Sequence, residues 1–187
     1  MASWLIDLAF AFWFFVPAGV ANMVPILVAR LPLLRRWNTP MDFGKSFQGK
    51  RIFGTNKTWR GLTFGVLAGV LICLLQFWVA DQFHLSFIDT RPEYDQAQPI
   101  ILGLLLGLGA LLGDAIESFF KRRSGVKAGE TWFPFDQLDY IFGAVIFTWW
   151  LVPVGFMELV SLFIVWFIMH LLFSYLGFRT GFKKQPI

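Results

Sequence analysis

The sequence predicts an all-α integral membrane protein of five transmembrane helices, with the N-terminus outside, the C-terminus cytoplasmic and a polar, charged cavity open to the cytoplasm. Three observations carry this. Of 187 residues, 57% are hydrophobic and 19% aromatic, against an apolar share of about 45–50% in soluble domains. Five apolar stretches lie near 4–29, 60–80, 99–120, 137–155 and 157–177, close to the roughly 20 helical residues that cross a core of about 30 Å. Fifteen of the sixteen Lys and Arg residues fall in the segments after the first and third stretches and in the tail, which the positive-inside rule assigns to the cytoplasm. Arg91, in the loop 81–98, is the exception.

The first stretch lacks a basic start, carries Asp7 and exceeds the apolar core of a signal peptide, about 7–15 residues, so it is expected to stay in the mature protein. Pro17, Asn22 and Pro25 lie within it. A proline removes a backbone donor, so this helix is either broken around a cavity or packed by its prolines. Residues 30–59 form a cytoplasmic loop with Pro32, Pro40, Gly44, Gly49 and Gly54 and little periodicity, the pattern of a lid or binding loop. Its end, Gly54-Thr55-Asn56-Lys57-Thr58-Trp59-Arg60-Gly61, places hydroxyls and cations before a helix start, where backbone N–H groups suit a phosphate. The order of a P-loop is absent.

The second stretch carries Gly61, Gly65 and Gly69, and the third Gly103, Gly107, Gly109 and Gly113. Small residues at four-residue intervals let membrane helices approach closely, so these are read as packing positions. Cys73 is the only cysteine and lies mid-span, which excludes an internal disulfide and a cysteine metal site. His84, in the outer loop, and His170, inside the fifth helix, are read as surface and packing residues. There is no repeat and no low-complexity segment, and 1–187 reads as a single membrane-embedded domain.

Chemistry concentrates at 114–139. Asp114, Glu117, Ser118 and Lys121 are spaced i, i+3, i+4 and i+7 and share one helix stripe. With Lys121 at the cytoplasmic end, Asp114 lies about 10 Å deeper. Ionisable groups at membrane depth are costly and mark function. A loop at 121–136 follows, with Lys121, Arg122, Arg123 and Lys127, and then Asp136 and Asp139 at i, i+3 open the fourth helix. Four carboxylates without a nearby cysteine or histidine favour Mg²⁺ or Mn²⁺ over zinc. Carboxylate-held cations flanked by Lys and Arg are the parts needed for group transfer from a nucleoside triphosphate. The competing reading is that Asp114 and Glu117 form structural salt bridges with Arg122 or Lys127.

Ser118-Phe119-Phe120-Lys121-Arg122, four residues, Lys127, then Pro134 and Asp136-x-x-Asp139 resemble the signature of the CDP-diacylglycerol synthase superfamily. Ala128 replaces an Asp of that signature, a His-Gly-Gly insert is missing, and Gln137 replaces an Arg. These departures, the short length and Asn-Lys-Thr-Trp-Arg-Gly at 56–61 are similar to the shorter relatives called CDP-archaeol synthases. The resemblance implies a multi-pass cell-membrane enzyme acting on its cytoplasmic side. It would transfer a cytidylyl group from CTP to a lipid phosphate, with Mg²⁺ and release of pyrophosphate.

Carried onto this sequence, the resemblance makes Asp114, Asp136 and Asp139 metal ligands, with Glu117 a further candidate, and counts Lys127 with the three Asp residues as catalytic. Asn56, Lys57, Arg60, Lys121, Arg122 and Lys127 would bind the phosphates of CTP or of the lipid, and Asn22 and Ser118 would orient substrate. The expected lipid is an unsaturated bis-geranylgeranyl glycerol ether phosphate; a phosphatidic acid substrate is the closest alternative. A small cation transporter is the rival from another class, although the acidic cluster opens to one face and no repeat is visible. A non-catalytic scaffold leaves the buried carboxylates unexplained, and basic residues split among short loops do not suit nucleic acid. Oligomeric state is left open.

Overall fold

The computed structural model describes residues 3–85, 97–127, 129–183 and 186. Five α-helices account for most of them: α1 (Ser3–Val28), α2 (Trp59–Phe83), α3 (Pro99–Arg123), α4 (Phe135–Thr148) and α5 (Phe156–Arg179). Among the described residues the one sheet is a small hairpin of β1 (Ser46–Phe47) and β2 (Lys50–Arg51), pairing Ser46 with Arg51. Arg91, Ala128 and Lys184 lie outside the described residues.

Four helices, α1, α2, α3 and α5, are long and apolar enough to cross a membrane. The fourth stretch departs from expectation. Its helix stops at Thr148 rather than at 155 and spans about 21 Å at 1.5 Å per residue. Thr148 turns its hydroxyl back onto the Ala144 carbonyl at 2.9 Å, and its own carbonyl accepts from Leu151 and Val152 in a closing turn. Pro153 and Gly155 follow directly, so apolar content here continued past the residues able to stay helical.

Helix α1 is not broken. It runs through Pro17 and Pro25 as one element of 26 residues and touches all four other helices. Pro17 has no N–H to give to the Trp13 carbonyl one turn back. That carbonyl instead accepts from Gln76 Nε2 of α2 at 2.6 Å, a side-chain repair of the kind that lets proline sit inside membrane helices. The Trp166 indole of α5 donates to the Ala11 carbonyl at 3.0 Å. Phe10, Phe14, Phe15, Leu102, Ile141 and Leu162 fill the centre of the bundle, while Leu71, Trp78, Ile146, Trp150 and Ile168 are exposed on its outside, as lipid-facing residues are.

The glycines work as the spacing predicts. A Cβ on Gly65 would sit 2.7 Å from the Ala21 carbonyl oxygen of α1, and one on Gly103 2.7 Å from Val70 Cα of α2. The closest approaches lie between α3 and α4. A Cβ on Gly143 would lie 2.1 Å from the Gly109 carbonyl oxygen, and one on Gly113 2.3 Å from that of Asp139. Backbone contact here brings the residue after Gly113, which is Asp114, beside Asp139.

The loop between α1 and α2 is folded around Asp42, which is 4% exposed. Its carboxylate accepts from Arg51 Nη2 at 2.5 Å and from the backbone N–H groups of Gly44, Phe53 and Gly54 at 3.0–3.1 Å. Burial works to raise its pKa, but the Arg51 guanidinium and the three N–H groups outweigh it and hold the carboxyl at about 2. Arg123 ties the loop to the end of α3: it stacks 3.6 Å from the Phe119 ring and donates to the carbonyls of Arg51 and Ile52 at 3.1 Å. At the tail, Arg30 donates to the Gly181 carbonyl at 2.8 Å. The described parts of the three basic segments therefore meet at one end of the bundle.

Candidate active site

At that end lies a cavity of about 1020 Å³, walled by the loop, α1, α3, the first turn of α4 and the folded-back tail. It is at the top of the range of about 300–1,000 Å³ usual for small-molecule sites, roomy enough for a nucleoside triphosphate and a phosphate head group together.

Three carboxylates converge beside it. Asp114 and Glu117 come from one stripe of α3 and Asp139 from α4, and each offers an oxygen within 4.8 Å of the other two. Glu117 is buried, and Asp139 Oδ2 has no hydrogen-bond partner among the described residues. An orphaned carboxylate oxygen inside a three-oxygen cluster, with no sulfur or nitrogen donor in the group, fits a hard divalent cation. Lys57, from the loop just ahead of α2, pairs with Asp114 at 2.5 Å. Burial works against its charge, but Asp114, with Asp139 and Glu117 beyond it, outweighs burial and raises the Lys57 pKa.

Asp136 falls outside that three-oxygen group but lies beside Glu117, and Lys121 contacts both. Its Oδ1 is ion-paired with Lys121 and its Oδ2 accepts from the Trp132 N–H at 2.6 Å. Occupying the first turn of α4, it meets free backbone donors that a carboxylate there satisfies. The salt-bridge reading thus holds with other partners: Asp114 pairs with Lys57, and Glu117 lies 4.0 Å from Lys121, which Asp136 also holds; among the described residues neither pairs with Arg122 or Lys127.

Of the other expected residues, Asn22, Asn56, Arg60, Ser118, Lys121 and Arg122 all line the cavity. Arg60 donates to the Leu34 carbonyl at 2.9 Å, with its Nε lacking a partner among the described residues, and the Ser118 hydroxyl faces Glu117 Oε2 at 3.5 Å. Lys127 departs from expectation. It is exposed and lies outside the cavity wall, while its neighbours Gly129, Glu130 and Thr131 are in it. The Lys127 N–H is held by Glu130 Oε2 at 3.0 Å, which turns the strand of loop at that point.

Three residues carry more than the sequence suggested. Lys183, read as part of a topogenic tail, lines the cavity. So does Gln137, which is 1% exposed with neither end of its amide hydrogen-bonded among the described residues. His170 also reaches the cavity, where packing alone was expected. The available signal was the Gln137 departure from the superfamily Arg; nothing local marked the other two. Beside the cavity, an apolar groove of about 240 Å³ runs between α1 and α5, lined by Met23, Ile26, Leu27, Trp166 and Phe173 among others.

Fold and site together define a polytopic helical protein with an acidic, cation-rimmed cavity sunk into one end of the bundle, the build of an intramembrane enzyme. A solved structure of an intramembrane enzyme for archaeal membrane lipids biosynthesis superposes with a TM-score of 0.70 and 26% identity, over 88% of this chain and 92% of its own. The family described as CarS-like: CDP-archaeol synthase matches residues 5–187. The CDP-archaeol synthase of Methanoregula boonei is 37% identical over 179 residues, 91% of this chain and 99% of its own. That of Thermococcus kodakarensis is 32% identical over 185 residues, 98% of this chain and 99% of its own. The chain belongs to the CDP-archaeol synthase family.

Proposed function

We propose that this protein transfers the cytidylyl group of CTP to the phosphate of an unsaturated bis-geranylgeranyl glycerol ether lipid, giving a CDP-activated lipid and pyrophosphate. The observation that carries the reading is the cluster of Asp114, Glu117 and Asp139, of which Asp114 and Glu117 line a cavity rimmed by lysine and arginine, in a chain of this family. In the reaction an oxygen of the lipid phosphate attacks the α-phosphorus of CTP. A new P–O–P bridge forms, the α–β bridge breaks, and its electron pair leaves with pyrophosphate.

Both reactants are anions at neutral pH, so the enzyme's task is to hold two groups that repel each other in line for attack. Mg²⁺, or Mn²⁺, held by Asp114, Glu117 and Asp139 would supply charge neutralisation at the triphosphate and polarisation of its α-phosphoryl group. Lys57 and Arg60 approach from the loop side and Lys121 and Arg122 from α3, so phosphates entering between them meet cations on two walls. Asn56, exposed on the same wall, and Ser118 and Asn22 give neutral hydrogen bonds. Asp136 acts by fixing Lys121. The lipid phosphate is already ionised, so no general base is required.

We assign the cavity to the cytoplasmic face, where CTP is found; the basic segments that meet at that end support this through the positive-inside rule. In this arrangement α4 and the following residues 149–155 together make a fifth crossing, which puts the N-terminus outside and the C-terminus in the cytoplasm. A helix of about 21 Å, the turn at 149–152 and residues 153–155 at up to roughly 3.3 Å each together come close to a core of about 30 Å.

The test is pyrophosphate release by detergent-purified protein given CTP, Mg²⁺ and either the ether lipid phosphate or phosphatidic acid. Turnover with the ether lipid, lost in Asp139→Asn, is the expected result. Turnover with phosphatidic acid alone would move the assignment to the ester-lipid enzyme, and turnover with neither would reject it.

A further inference from the structure

The groove and the cavity adjoin each other. Five residues line both: Asn22, Ile26, His170, Phe182 and Lys183. The rim of the groove, Met23, Ile26, Leu27 and Phe173, is exposed on the outside of the bundle, so a hydrocarbon chain can enter sideways from the bilayer. A lipid phosphate seated with its chain in the groove and its head in the cavity must cross the seam at those five residues. Among them Lys183 is the one cation.

Several contacts put Lys183 there. After Gly181, at φ 75°, the chain doubles back. The N–H groups of Phe182 and Lys183 donate to the Gly177 carbonyl at 2.6 and 2.9 Å, and the Arg30 guanidinium holds Gly181 and covers the Phe182 ring at 4.2 Å. The Lys183 ammonium then donates to the hydroxyl of Ser174, a buried residue of α5, at 2.7 Å. No carboxylate lies within ion-pair distance of it among the described residues, whereas in the same cavity Lys57 has Asp114 and Lys121 has Asp136 and Glu117. Burial lowers the Lys183 pKa, with Asp136 and Asp114 pulling it back up at longer range. Such an ammonium gains from a nearby anion more than one already paired. The unpartnered Gln137 amide, in the first turns of α4, offers a neutral donor on the same cavity.

We infer that Lys183, folded back from the C-terminal tail and braced by Ser174, binds the phosphate monoester of the lipid substrate at the seam between groove and cavity. The loop and α3 cations, Lys57, Arg60, Lys121 and Arg122, are left to the triphosphate. This rests on the transfer reading above. The competing source of the same chemistry is the triphosphate of CTP, and the two are separable by experiment.

Lys183→Met is the variant of choice because it keeps the stem that runs beside Gly177 and removes only the charge. Its KM for the ether lipid phosphate should rise by about tenfold or more, the scale of a charge-assisted hydrogen bond, while its KM for CTP stays within about twofold. Lys183→Arg should recover most of the loss. In a direct binding assay without CTP, wild-type protein should prefer the lipid phosphate over the matching lipid alcohol, and Lys183→Met should lose that preference. A rise in the KM for CTP instead would give Lys183 to the nucleotide, and unchanged lipid KM and binding would leave the tail a mere closure; either result overturns the inference. Wild-type protein that binds the lipid phosphate through Lys183 but transfers nothing would uphold the site and reject the transfer reading.

Discussion

Alanine at Gly113 should damage catalysis by a predictable distance. Its Cβ would lie 2.3 Å from the Asp139 carbonyl oxygen and 3.1 Å from Gly143 Cα, against an ordinary carbon–oxygen contact of about 3.3–3.6 Å. The clashing atoms are backbone on both sides, so no side chain can swing away and α3 must part from α4 by about 1 Å. Asp114 follows Gly113 directly and Asp139 is the residue struck, so the carboxylates of the trio separate with their helices. A misplacement of about 1 Å at a reacting site costs on the order of 100-fold in rate, about 2.7 kcal/mol in the barrier. The assay is kcat for pyrophosphate release at saturating CTP and lipid, with thermal melting in detergent to establish folding. Gly107→Ala is the comparison, since its Cβ meets Val66 Cα of α2 at 3.1 Å and leaves the α3–α4 contact alone. Gly113→Ala should lose about 100-fold while Gly107→Ala stays within a few-fold. Equal losses in both, or full activity in a folded Gly113→Ala, would refute the claim that this helix contact sets the carboxylate geometry.

Other perturbations follow from the same structure. Asp139→Asn should reduce turnover by several orders of magnitude and weaken Mn²⁺ binding measured by titration, whereas Asp136→Asn should act mainly by loosening Lys121 and cost less. Chelation with EDTA should stop turnover, and Mg²⁺ or Mn²⁺ should restore it where Zn²⁺ does not. Asp42 has a folded pKa of about 2 against 3.8 for the free side chain, so it contributes its full stabilisation, about 2 kcal/mol, above about pH 4 and loses it as pH falls from there towards 2. Asp42→Asn should therefore melt lower at neutral pH and lose that part of the acid dependence. Gln76→Leu leaves the Trp13 carbonyl without its donor and should cost about 1–3 kcal/mol of stability with little change in kcat.

What the sequence made legible follows from what local pattern can carry. Apolar length located α1, α2, α3 and α5 within a few residues, and spacing placed Asp114, Glu117, Ser118 and Lys121 on one stripe. Glycine spacing identified contact faces, although it could not say that Gly109 and Gly113 meet α4 while Gly103 and Gly107 meet α2. Helix α4 ended early because hydropathy counts Trp149, Trp150 and Leu151 as membrane residues and is blind to the turn that Pro153 and Gly155 follow. Spacing put Asp136 and Asp139 at i, i+3 but could not show that, in the first turn of α4, Asp136 also meets the Trp132 N–H and Lys121. Lys183 and His170 depend on tertiary folding of the tail and of α5 against α1, which no local pattern encodes. Asp42 was missed for the same reason, since its partners Arg51, Phe53 and Gly54 converge only once the loop has closed.

The most direct test of the account is the fate of label from CTP carrying it on the α- or the γ-phosphorus, incubated with wild-type protein, Mg²⁺ and the ether lipid phosphate. The account predicts that the α label enters the lipid phase and the γ label leaves as pyrophosphate, with neither transfer in Asp139→Asn. Label from the γ position in the lipid, or transfer undiminished in Asp139→Asn, would contradict it.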